Sequence, residues 1–122
     1  MFKMATRHNR WNSSRTYQTC LVRAKHKFMT KEERIAMIKV SWELHNQIET
    51  AYLQHPAQKN DEAWLEKQRL LLADMALHLL QTSINPEEIK LDRLRDNLHA
   101  ILTISDQFLP EVGLKRMTDH LY

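Results

Sequence analysis

Apolar residues recur along this chain at helical intervals in three long stretches. That is the pattern of amphipathic helices rather than of strands. The first stretch, Thr30 to Leu53, organises the rest. It opens on Thr30-Lys31-Glu32-Glu33, a capping box. In it the threonine hydroxyl takes the Glu33 amide and the Glu33 carboxylate reaches back to the Thr30 amide. Two acids in the first turn also suit the positive end of the helix dipole. His55-Pro56 closes the helix, because proline disfavours helical geometry at the residue before it.

At about 100° per residue, Ile35, Ile38, Trp42, Tyr52 and Leu53 form one apolar stripe. Met37, Val40, Leu44, Ile48 and Ala51 form a second. Only Glu32, Lys39, Glu43, Asn46, Gln47 and Thr50 make a clean polar strip. The apolar arc spans roughly half the circumference, wider than the ~100° of an ordinary surface helix. Such a helix needs cover on two sides. The cover can come from two helices of its own chain, or from one of its own and one of another subunit.

A polar link, residues 57–60, follows Pro56. Asn60 or Asp61 is placed to cap a second helix running to about Gln81, with Asp61 and Glu62 at its positive end. Trp64, Leu65, Leu71, Leu72, Met75, Ala76 and Leu79 share its apolar face, flanked by Leu70 and Leu77. Lys67, Asp74, His78 and Gln81 fall outside that face. Asn85-Pro86-Glu87-Glu88 then reads as an N-cap, a first-turn proline and a capping-box acid. This third helix extends to about Leu109, before Pro110. Leu91, Leu94, Leu98, Ile101, Leu102, Phe108 and Leu109 are its buried stripe, and Arg93, Arg95, Asp96, His99, Thr103 and Asp106 face out. From Glu111 to Tyr122 a short helix, weakened at its start by Gly113, can fold back through Leu114, Met117 and Leu121.

The expected fold is all-α: an antiparallel bundle of three long helices plus a short C-terminal helix, with an irregular basic N-terminal arm. Length and composition agree. A chain of 122 residues with one glycine and three prolines is a single domain without the turns of a β-fold. No apolar run approaches the ~18 residues of a membrane span. A single cysteine, Cys20, excludes an intramolecular disulfide and a multi-cysteine zinc site.

Charge divides the chain in two. Residues 1–29 hold 7 of the 18 basic residues and no acid, a net of +7. The remaining 11 basic against 15 acidic residues leave −4. The expected organisation is a flexible basic arm, 1–29, and a helical bundle domain, 30–122, with a short helix possible near Tyr17 to Lys25. The arm admits several readings. It is a solvated tail by composition. It is also a candidate nucleic-acid contact, where Arg7, Arg10, Arg15, Arg23, Lys25 and Lys27 neutralise phosphates and Trp11 and Tyr17 stack on bases. Residues 1–17 also have the acid-free, arginine-bearing character of a mitochondrial presequence, with Arg15-Thr16-Tyr17-Gln18 as its processing site. Finally, Met29 stands directly before the capping box and can serve as an alternative start. The expected location is cytoplasmic, or the mitochondrial matrix if 1–17 is cleaved.

Chemistry is sparse. One glycine rules out a Gly-rich phosphate loop, and Cys20 has no neighbouring base at fixed spacing. None of the seven histidines pair at i, i+4. Asp74 with His78, and Asp96 with His99, read as surface hydrogen-bonding pairs on polar faces. Two Glu-x-x-His pairs, the mark of a two-metal bundle, are missing. No metal or cofactor is expected. Arg93-Leu94-Arg95-Asp96-Asn97-Leu98-His99 resembles the Arg/His motif of the HEPN ribonucleases, which are small helical bundles acting as dimers. The resemblance covers seven residues. It implies that Arg93 and His99 meet their counterparts across a two-fold axis and cleave RNA. The competing reading is a solvated face with local ion pairs.

The two-sided first helix favours a different function: a helical protein–protein interaction module, a regulator, inhibitor or adaptor rather than an enzyme. Its partner is another protein or a second copy in a homodimer. Ile35, Ile38, Trp42, Tyr52 and Trp64 are the expected anchors, since large aromatics dominate interface energies. Nucleic-acid binding through the arm is the alternative.

Overall fold

A computed structural model of the chain describes residues 28–122. The readings placed on the basic arm up to Lys27 lie outside the described residues. The compact unit runs from Lys31 to Tyr122. It contains α1 (Lys31–Gln54), α2 (Trp64–Ser83), α3 (Leu91–Asp106), the short α4 (Leu114–Met117) and a 3-10 turn (Thr118–His120). There is no strand among the described residues. None of these helices is long and apolar enough to cross a membrane.

The contacts run in antiparallel order. Arg34, Ser41, His45 and Tyr52 on α1 meet Ile84, Gln81, Asp74 and Lys67 in turn. Likewise Gln68 and Thr82 on α2 meet Gln107 and Asn97. The bundle is open: α1 packs on α2 and α2 on α3, but no backbone approach joins α1 to α3. The middle helix α2 is therefore the spine. α4 and the 3-10 turn lean on α3.

The ends of α1 fall where the capping box and Pro56 put them. The other starts differ from expectation. α2 begins at Trp64, after a turn in which Asp61 Oδ2 accepts from the Gln58 amide (2.7 Å) and Asn60 takes a left-handed φ of 81°. An asparagine side chain tolerates that conformation better than most. α3 begins at Leu91, not at Pro86. The Asn85 side-chain oxygen Oδ1 accepts from the Glu87 backbone amide (2.9 Å), a local Asx turn that competes with helix initiation. Gly113 sits at the N-cap of α4 with φ 75°, which glycine adopts without steric cost.

The burial pattern corrects the expected core. Ile104, not assigned to the stripe, is the buried apolar residue of α3, at 6% exposure. Leu91 and Leu109 are exposed because they stand at or beyond the ends of the shortened helix. Leu65 and Ala76 are also exposed. Leu114 and Leu121 are half-buried, while Met117 points out and Thr118 takes the inner position. Lys67, Asp74, His78 and Gln81, expected outside, line the seam with α1. Asp74 is buried and the other three half-buried.

Candidate functional site

The seam between α1 and α2 follows a three-four spacing on α1: Arg34, Ile38, Ser41, His45, Ile48 and Tyr52, all buried or half-buried. This line runs between the two apolar stripes. The stripes flank the contact, and most of their residues are left outside it. Ser41, at 1% exposure, is the most buried residue of α1. Its hydroxyl donates to the Ile38 carbonyl (2.6 Å) and accepts from Gln81 Nε2 (3.0 Å). Farther along, Lys67 Nζ lies 4.9 Å from the centre of the Tyr52 ring and donates to the Ala57 carbonyl (3.4 Å).

The middle of the seam holds two imidazoles around one carboxylate. His45 Nδ1 lies 2.5 Å from Asp74 Oδ1, and His78 Nε2 lies 3.4 Å from Asp74 Oδ2. Asp74 and His78 are one turn apart on α2, so their side chains are neighbours. His45 arrives from the facing helix. Its other nitrogen, Nε2, is 3.5 Å from Glu49 Oε2. Trp42 closes the cluster, edge-on to His45 at 5.2 Å and to His78 at 6.0 Å between centroids. The two imidazoles are themselves 5.1 Å apart. Among the described residues it is the only set of three or more His, Cys, Asp or Glu placed to hold a metal ion.

Two cavities adjoin the seam. One, of about 280 Å³, is polar; Trp42 and His78 border it, and Lys90, Arg93 and Asn97 bring positive charge and amide groups from the α3 side. The other, of about 290 Å³, is apolar and is lined by Ala36, Met37, Val40, Ser41, Leu44 and Leu80. It takes in Met37, Val40 and Leu44 of the second stripe, with a leucine of α2 at its edge.

The expected anchors do not converge. Ile35 and Trp42 are exposed and Ile38 half-buried, all near one another on α1. Tyr52, ten residues from Trp42, is about 15 Å farther along the helix and is capped by Lys67. Trp64 belongs to the other seam, where its Nε1 donates to Gln107 Oε1 (2.9 Å). Arg93 borders the polar cavity, whereas the His99 ring meets that of Tyr122 at 5.8 Å. Six residues of helix put Arg93 and His99 about 120° apart around the axis, so the chain alone does not bring them together.

Sequence reasoning passed over His45, Asp74 and His78 as a group, and over the apolar cleft with Leu80. One signal was present: Ser41 and His45 interrupt the apolar half of α1 at the three-four spacing of a packing seam.

Comparison with family models, curated proteins and solved structures finds no match to this chain.

Proposed function

We propose that the chain is a helical protein–protein interaction module that docks through the outer face of α1, and that the occupant of this face is a second copy. The observation that carries the reading is the exposure of Met37, Val40 and Leu44, at 40, 53 and 43%. These residues line one apolar cleft. Contiguous exposed apolar surface of this kind marks an interaction site.

The second copy is favoured by the layout of the stripe. Met37 and Leu44 are equidistant in sequence from the point between Val40 and Ser41. In an antiparallel pairing of two α1 helices they exchange places about the two-fold, as an isologous interface requires. α2 fixes the register of α1 by polar contacts, so the pairing face is presented without needing to fold first.

Sedimentation equilibrium of the full chain tests this. The expected result is a reversible dimer that Val40→Asp with Leu44→Asp converts to a monomer, with unchanged helical circular dichroism. A chain that is monomeric at every concentration, or a dimer indifferent to both substitutions, overturns the proposal.

A further inference from the structure

The geometry points to a metal site: we propose that His45, Asp74 and His78 bind one divalent ion of the zinc class and so tie α1 to α2. Each residue offers a ligand atom, and these atoms lie within 4.8 Å of one another. The three side chains are only 13, 10 and 29% exposed. Two imidazoles and one carboxylate form a borderline donor set that suits zinc, cobalt(II) or nickel(II). It does not suit magnesium or calcium, which take oxygen ligands.

Tetrahedral zinc with bonds of about 2.0–2.2 Å places its ligand atoms about 3.4 Å apart. The Asp74 Oδ2 to His78 Nε2 edge already has that length, 3.4 Å. The Asp74 Oδ1 to His45 Nδ1 edge, 2.5 Å, is hydrogen-bond length and opens to about 3.4 Å to admit the ion. With the Nδ1 lone pair on the metal, the ring proton of neutral His45 resides on Nε2. That N–H donates towards Glu49 Oε2, 3.5 Å away. A carboxylate behind a ligating histidine is the usual support for its tautomer and orientation. Trp42, edge-on to both rings, limits their rotation. The polar cavity beside His78 gives an access route and room for a water as the fourth ligand.

The test uses the full chain, stripped with a chelator and titrated with Zn²⁺ and with Co²⁺. We expect one ion bound at this site, a visible d–d spectrum of low-symmetry cobalt, and quenching of tryptophan emission by Co²⁺ that disappears in Trp42→Phe. Asp74→Asn and His78→Gln keep the side-chain shapes and should each lower affinity by about 100-fold, and Glu49→Gln by about 10-fold. Cys20→Ser should leave this binding unchanged. Unaltered affinity in both Asp74→Asn and His78→Gln, or cobalt binding that leaves Trp42 emission untouched, overturns the proposal.

Discussion

The two seams of α2 are built from different materials. Against α3 the helix meets an apolar stripe, with Ile104 buried and Leu94, Leu98, Ile101 and Leu102 half-buried. Two polar contacts accompany it: near one end buried Thr82 donates its hydroxyl to Asn97 Oδ1 (2.6 Å), and near the other runs a short chain of side chains. Trp64, which can only donate, fixes Gln107 to present its oxygen. The Gln107 amide then donates to Gln68 Oε1 (3.1 Å). The chain ends on Gln68 Nε2, buried and without a partner among the described residues. Against α1 the order is reversed. Ser41 with Gln81, His45 with Asp74 and Tyr52 with Lys67 form the contact, while the apolar stripes of α1 flank it. One seam is held mainly by burial, which is non-directional. The other is held by directional pairs, which fix register and leave grease outside.

That contrast can be broken at its strongest point first. Ile104→Ala removes the buried apolar residue of α3 and should cost about 3 kcal/mol in urea unfolding, because a cavity adds to the lost transfer energy. Asp74→Ala strikes the other seam. It leaves two half-buried imidazoles without their carboxylate and should cost about 2 kcal/mol. A loss at Asp74 larger than at Ile104 would reverse the ranking of the two seams. Ser41→Ala leaves the Gln81 amide without its acceptor and should cost about 1 kcal/mol.

The smallest effect concerns the C-terminus. The Tyr122 hydroxyl donates to an Asp96 carboxylate oxygen. That hydrogen bond, with a smaller contribution from burial and from the Asp96 charge, pushes the phenol above its ordinary value of 10.0. A group whose folded pKa is raised stabilises the fold in its protonated form. The contribution is therefore complete below pH 10 and lost as pH rises through the higher folded value. Phenolate absorbance at Tyr122 should titrate later than in Asp96→Asn, and equal titration would remove this tie from the account.

The sequence announced α1 almost to the residue, because Thr30 and Pro56 act locally and nothing competes with them. It misplaced the start of α3, because Asn85 offers the same side-chain oxygen to an Asx turn as to a helix cap. The seam was less legible for a deeper reason. Lys67, Asp74, His78 and Gln81 have the same spacing whether they face water or a polar partner. What decides between the two is His45 and Ser41, dozens of residues away in sequence. Periodicity reports polarity, and only the packing of α1 on α2 turns that polar face inward.

The central claim is that α1 turns Ser41 inward and Val40 outward, towards another chain. Thiol labelling tests it residue by residue. In a Cys20→Ser background, Val40→Cys should react almost as a free thiol in dilute protein and become protected as concentration rises, while Ser41→Cys stays protected throughout. A Val40→Cys thiol shielded at every dilution, or a Ser41→Cys thiol that reacts as fast as Val40→Cys, would contradict the account.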